Sequence, residues 1–284
     1  MKIGLAYDLK EAQTPEPGSP EDALVEYDSL DTIESIAAVL ESQKHSVFRL
    51  GGGKEFLTNI LQNKVDFVFN IAEGQGNHQA REAQVPSVLE MLGIPYSGSD
   101  PECLAICLDK PLTKKLVALA GVRTPRWRVI TDTRQLKGIA GGKFPLPAFI
   151  KPAWEGSSKG IYAGSKAEKA EQIAEVAGDL IERYRQPVMV EEFINGDEVT
   201  VGIVGNSPPE VLGIMRILPK RKDDPLIYSR EVKQDWEQRV DYECPAQLDK
   251  SIIQDITNSS LKVFQVLGCR DLARIDFRVS PEGV

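Results

Sequence analysis

Residues 147 to 161 read Pro-Ala-Phe-Ile-Lys-Pro-Ala-Trp-Glu-Gly-Ser-Ser-Lys-Gly-Ile. The apolar run predicts a short strand with Lys151 at its end. Pro152 then forces the chain into a polar loop holding Glu155, Gly156, Ser157, Ser158 and Gly160. An ammonium fixed beside such a loop suits a nucleotide phosphate. Loop N–H groups and hydroxyls donate to phosphate oxygens, and the lysine charge strengthens as water is excluded. A plain surface turn has the same composition, so the reading depends on what else the chain carries. Residues 271–279 predict a strand in which Arg274 and Asp276, two apart, project from one face. Glu191 and Glu192 close an apolar run from 188, and Glu198 follows the turn at 196–198. A structural salt bridge stays open for the pair Arg274–Asp276, and from residues alone the three glutamates read first as a solvated hairpin end.

The chain has 284 residues, 42% hydrophobic and 27% charged, enough for two or three domains with their own cores. A net charge of −8 without any basic run argues against a nucleic-acid surface, so anionic ligands must be met by local cations. The N-terminal apolar run is too short for a signal peptide, and nowhere do eighteen apolar residues run together, so the expected compartment is the cytoplasm, with no membrane partner. Cys103, Cys107, Cys244 and Cys269 form no CxxC pairs, and only His45 and His78 add nitrogen donors. Buried free thiols are expected rather than zinc.

Stepping along the chain, apolar periodicity predicts strands at 2–7, 46–50 and 65–70 and helices at 31–40, 56–61 and 81–92, the last closed by Gly93 and Pro95. This alternation implies a parallel sheet, whose ligands bind beyond the carboxyl ends of the strands. Gly74-Gln-Gly76 lacks the third glycine of a dinucleotide fingerprint. Gly51-Gly-Gly-Lys54 is followed by Glu55 where a P-loop needs Ser or Thr, and 138–143 is a near miss read as a linker. Ser97-Gly98-Ser99-Asp100-Pro101 punctuates the chain. Helices follow around 104–108 and 112–120, then a strand at 127–130, an amphipathic helix at 166–184, a hairpin of 188–194 with 199–204, a further strand at 211–218, a charged segment at 220–241, a helix at 251–267, and a hairpin tip at 281–283.

Several segments, in order, resemble the ATP-grasp carboxylate-amine ligases, most closely the D-alanine-D-alanine ligases. They are Pro95-Tyr-Ser-Gly-Ser-Asp, Leu108-Asp-Lys-Pro-Leu-Thr-Lys, Ile150-Lys-Pro with Glu155-Gly-Ser-Ser-Lys-Gly, Glu191-Glu-Phe-Ile-Asn-Gly-Asp-Glu-Val-Thr-Val, Cys244-Pro-Ala, Gly268-Cys and Ala273-Arg-Ile-Asp-Phe. The resemblance implies a mixed α/β and α+β chain: an N-terminal doubly wound parallel-sheet domain at 1–100, then a two-lobed ATP-grasp fold with antiparallel sheets at 101–185 and 186–284. It implies that Lys110 and Lys151 contact the phosphates of ATP and that the loop of Glu155, Gly156, Ser157 and Ser158 closes over them. Backbone groups of Glu191, Glu192, Phe193 and Ile194 would read adenine, and Glu198 would hold the ribose hydroxyls. Arg274 would stabilise a tetrahedral oxyanion, with Ser157 and a loop lysine, Lys233, as further catalytic groups, and Asp276 would ligate magnesium or manganese. The implied reaction phosphorylates one carboxylate and lets a second substrate's amine displace phosphate, joining two D-alanines. Small-molecule substrates and a homodimer are the expected partners.

Two departures qualify that expectation. The family carries a further glutamate and asparagine on a strand after the last hairpin, and this chain stops at Val284. A fragment of a longer product, binding magnesium poorly and turning over weakly, is therefore expected. Glu73-Gly74 stands where the family has His-Gly, and Arg81-Glu82-Ala-Gln replaces its acidic glycine motif. Glu73, Glu82 and Glu26 become candidates for gripping a substrate amine. A related ATP-grasp ligase for another amino acid or carboxylate, and a non-catalytic nucleotide-binding relative, stay open.

Overall fold

In the computed structural model, which describes residues 1–15, 17–136, 144–221, 227, 229–280 and 283, the chain divides into two compact units, Met1–Asp109 and Lys110–Val284. The 138–143 segment and the 281–282 tip lie outside the described residues.

The first unit is built on β1 (Lys2–Ala6), β2 (Ser46–Gly51) and β3 (Phe67–Asn70), ordered β2-β1-β3 and parallel throughout. The central strand is buried on both faces, because its alternate residues meet different helices. Leu5 packs with Ile33 and Ala37 of α1 (Leu30–Ser42). Ala6 joins Leu50, Val68, Phe56 and Ile60 of α2 (Gly53–Gln62), and Val85 and Leu89 of α3 (Gln84–Leu92). Ser29 caps α1 by accepting from the Thr32 N–H at 3.3 Å, and Gly93 ends α3 in the left-handed conformation (φ 66°). The expected helix at 81–92 is split, with a short 3-10 turn at Arg81–Ala83 before α3 begins at Gln84. A fourth helix, α4 (Pro101–Leu108), capped by Asp100, closes this unit.

The second unit opens with α5 (Lys110–Leu119) and contains two antiparallel sheets. One is ordered β4 (Trp127–Ile130), β7 (Val188–Glu192), β5 (Ala148–Pro152), β6 (Lys166–Ala167). The other is ordered β10 (Val240–Glu243), β9 (Glu210–Pro219), β8 (Asp197–Val204), β11 (Leu272–Val279). Each sheet buries one face on a helix. Ala148, Ile150, Val188 and Val190 pack on Ile173, Ala177, Leu180 and Tyr184 of α6 (Ala170–Tyr184). Ile150 is fully buried there, and truncating it to alanine costs roughly 2–5 kcal/mol. In the other sheet Val199, Val201 and Ile203 pack on Ile256 and Phe264. These belong to α9 (Lys250–Val266), which follows the short helices α7 (Arg230–Gln234) and α8 (Trp236–Arg239).

The hairpin expected of 188–194 with 199–204 does not form. β7 pairs with β4 and β5, while β8 pairs with β9 and β11, so the border between the sheets falls between Glu192 and Asp197, later than the lobe boundary expected at 186. The reason lies in the neighbours: β7 opens on the apolar run Val188-Met-Val190 and is buried between β4 and β5, which a two-stranded ribbon cannot provide.

Candidate active site

Strand alternation gives each sheet of the second unit a polar face opposite its helix. On the first sheet Lys151 of β5 and Glu191 of β7 share that face, and Lys151 Nζ lies 2.5 Å from Glu191 Oε1. The other carboxylate oxygen is 3.0 Å from Nζ of Lys114, on α5 one turn beyond Lys110. Lys114 also sits 5.2 Å from the Trp127 ring. Burial opposes ionisation of Glu191, yet the charges of Lys151 and Lys114 outweigh it and hold the carboxyl below its usual range. Glu192, one residue on, points to the opposite face and reaches Arg126 at 3.4 Å. The Glu192 and Phe193 N–H groups donate to the carbonyls of Arg126 (2.9 Å) and Pro147 (3.0 Å). Phe193 is buried beneath two cations, Lys166 at 4.7 Å and Arg278 at 4.9 Å from its ring centre. Ile194 follows it half-buried.

The loop after β5 is held at its base. Glu155 is buried, accepts from Gln186 Nε2 at 2.6 Å and pairs with Lys159 at 2.6 Å, while Lys110 Nζ donates to the Glu155 carbonyl. Ser157 (φ 46°) and Ser158 (φ 62°) both occupy the left-handed region, stabilised by bonds from Lys159 N to Gly156 O and from Ile161 N to Ser158 O. Such backbone strain costs about 1–3 kcal/mol per residue and is typical of ligand-binding loops. Gly160 (φ 71°) has no alternative, since a Cβ there would stand 2.4 Å from Pro152 Cγ.

On the second sheet Glu198 and Thr200 of β8 face Arg278 and Asp276 of β11 across register. Arg274 Nε and Nη2 approach the two Asp276 oxygens at 3.2 Å each, and Thr200 Oγ1 donates to Asp276. Arg278 lies 3.4 Å from Glu198. Burial raises the Glu198 pKa, Arg278 and the Lys233 and Lys151 charges oppose that, and Asp276 adds to it. Burial lowers the Lys233 pKa, as does the Arg274 charge, against Asp276 and Glu198. Lys151 on the first sheet acts on Glu198 of the second, which also feels Asp276 and Lys233, so charges of the two sheets influence one another. Lys114 beside Glu191, Lys159 and Gln186 beside Glu155, Thr200 beside Asp276 and Arg278 beside Glu198 were not singled out from sequence. Arg278 continues the alternation of 274 and 276, and Lys114 stands four residues after Lys110, so both were visible as positions but not as partners.

The first unit collects carboxylates beyond its strand ends. Asp8 is buried and accepts from the Gly74 N–H at 2.9 Å. Gly74 (φ 78°) is required, because a Cβ would lie 2.0 Å from the Arg81 carbonyl oxygen. Glu26 is bound by Arg81 Nη2 at 2.9 Å to each oxygen, with both side chains 2% exposed. Burial, then the charges of Glu82, Glu26 and Asp28, push the Glu73 carboxyl up to about 8 against the pull of Arg81. All four cysteines are free thiols. No helix among the described residues is long and apolar enough to cross a membrane.

Two antiparallel sheets whose polar faces hold a strand-end lysine, a strained glycine-serine loop and an arginine-carboxylate pair define an ATP-grasp fold. The family model described as D-ala D-ala ligase C-terminus matches residues 116–284. The D-alanine--D-alanine ligase of Aquifex aeolicus is 34% identical over 255 residues, covering 90% of this chain and 81% of that protein. Among solved structures, a D-alanine--D-alanine ligase from Bacillus anthracis complexed with ATP aligns with a TM-score of 0.71 at 22% identity, covering 99% of this chain and 82% of that one. D-alanyl-alanine synthetase A from Vibrio cholerae aligns at 0.75 and 22%, covering 100% and 86%. The chain belongs to the D-alanine–D-alanine ligase family.

Proposed function

We propose that the protein is a cytoplasmic ATP-dependent ligase that joins two D-alanines through an acyl phosphate, supplying a cell-wall precursor. The observation that supports this reading is a strand-end lysine, Lys151, with a strained loop at 155–160 on one sheet and the Arg274–Asp276 pair on the other, in a chain of this family. Phosphoryl transfer asks the protein for positioning and charge neutralisation, which lysines around a strained loop supply. Lys110 and Lys151 bind the phosphates, the loop with Ser157 covers them, the backbone of 191–194 receives adenine, and Glu198 takes the ribose hydroxyls. Arg274 donates to the developing oxyanion and Lys233 assists from α7. The three expected parts, 1–100, 101–185 and 186–284, act as substrate domain and two lobes, with β7 of the last part lying in the sheet of the first lobe.

Magnesium commonly takes one or two protein carboxylates plus substrate phosphates, and manganese uses the same oxygen donors. Asp276, fixed by Thr200 and Arg274 and close enough to Glu198 to raise its pKa, fits that role. The metal would neutralise phosphate charge. Glu73 and Glu82 face the first substrate's amine, while Glu26, buried against Arg81, holds that arginine in place; the protein is a homodimer, to be checked by sedimentation.

ADP release measured with a panel of D- and L-amino acids tests the proposal. D-alanine-dependent release supports it. Release driven by another acceptor, or ATP binding with no release, overturns it in favour of a related ligase or a non-catalytic relative.

A further inference from the structure

The Lys114–Glu191–Lys151 bridge has a charge imbalance. Lys114 is 8% exposed and Glu191 9%, and one carboxylate stands between two ammonium groups at 3.0 and 2.5 Å. A buried pair satisfies itself, and a buried triad of two cations and one anion does not. It keeps one positive charge in a region of low dielectric, where an unbalanced charge is felt strongly. Lys114 is wedged against the Trp127 ring and is less able than Lys151 to follow a ligand, because it is the more deeply buried of the two, 10% against 19% of side-chain surface. Burial, its largest influence, weakens its hold on the proton; Glu191 opposes this only in part, and the Lys151 charge adds to it.

Resting on the ATP reading above, we infer that Lys114 is a positioning residue for the phosphates: through Glu191 it partly neutralises the carboxylate that would otherwise hold Lys151, and leaves the bridge with a surplus charge for a polyphosphate. Lys114 touches no phosphate itself. Without it, Glu191 and Lys151 close into a neutral pair, and an arriving anion must compete with Glu191 for its one lysine. With Glu191 replaced by an amide, the two lysines repel each other and an anion relieves them.

Calorimetric titration of the whole chain with ATP, inorganic tripolyphosphate and adenosine tests this. In Lys114→Met, affinity for ATP and for tripolyphosphate falls by about tenfold while adenosine affinity stays within twofold. Lys114→Arg, which keeps the charge, restores ATP affinity to within about threefold. Glu191→Gln moves tripolyphosphate binding the opposite way and tightens it. Equal losses for adenosine and ATP in Lys114→Met, or a Lys114→Arg protein that folds yet binds tripolyphosphate tenfold more weakly, overturn the inference. If Lys114→Met does not fold, weaker tripolyphosphate binding by Glu191→Gln overturns it. A wild-type chain that binds none of the three overturns the ligase reading itself, a separate result from wild-type binding with unchanged affinity in Lys114→Met, which removes only the role of Lys114.

Discussion

Glu191 in the second unit is one carboxylate between two lysines, whereas Arg81 in the first unit is one guanidinium among Glu26, Glu73, Glu82 and Asp28. Burial pushes the carboxyls of Glu191, Glu73 and Asp28 toward the protonated form. The surplus sign then decides. Glu191 is held ionised by its cations, while Glu73 is driven to about 8 by burial and then by its acidic neighbours, and is largely protonated at neutral pH. One region is prepared for an anion. The other stores carboxyl groups that a cation would ionise. Residue type therefore says little about charge state until the neighbours are known.

That contrast breaks most sharply at Arg81. Replacing it with methionine removes the guanidinium that holds both oxygens of buried Glu26 and raises the Glu73 pKa further, at an expected cost of about 3–5 kcal/mol. Urea unfolding followed by hydrogen exchange should show the loss in residues 1–109 and not in the sheets of the second unit. Stability unchanged by Arg81→Met would mean that the carboxylates repel less than their geometry implies.

Arg274→Met tests the opposite region, removing a donor from the site without opening a core, since Arg274 is exposed. The expected loss is about 100-fold to 1000-fold in kcat, with ATP affinity within threefold. A rise in KM for ATP at constant kcat would instead make Arg274 a binding residue.

The pH dependence sharpens the comparison further. Glu73 ionises near 4.5 when unfolded and near 8 when folded, so between these values the folded state holds more protons. Stability from this group is full below about pH 4.5 and falls as pH rises toward 8. Glu73→Gln removes that slope and stabilises the protein at pH 8 by about 1–2 kcal/mol, a value reduced for partial solvent access. Thermal melts from pH 5 to 9 measure it, and a slope that persists in the variant would assign it elsewhere.

The smallest effect is expected at Thr200. Thr200→Val removes the hydroxyl that donates to Asp276 and keeps the strand-forming shape, costing about 1 kcal/mol of positioning. The midpoint of magnesium activation should rise by roughly threefold to tenfold, with no change in adenosine binding.

Much of the frame was legible from residues 2–70 and 127–204, because strand and helix periodicity depend only on which positions are apolar. Ile150, Val188 and Val190 alternate with Lys151, Met189 and Glu191, and that alternation decides which face is buried. The place of Lys151 on a strand that leads into a polar loop and the shared face of Arg274 and Asp276 followed from the same local rule. Strand partners did not. Nothing within 188–204 distinguishes a hairpin from two strands in separate sheets, since the choice is made by β4 and β5 for one and by β9 and β11 for the other. Lys114 and Glu191 are 77 residues apart, and Glu26 and Arg81 are 55 apart, so no spacing rule could pair them. Local pattern set which groups face the site, and only the packed chain decided which charges neutralise one another, because Coulomb interactions depend on distance in space and on burial, neither of which is written along the chain.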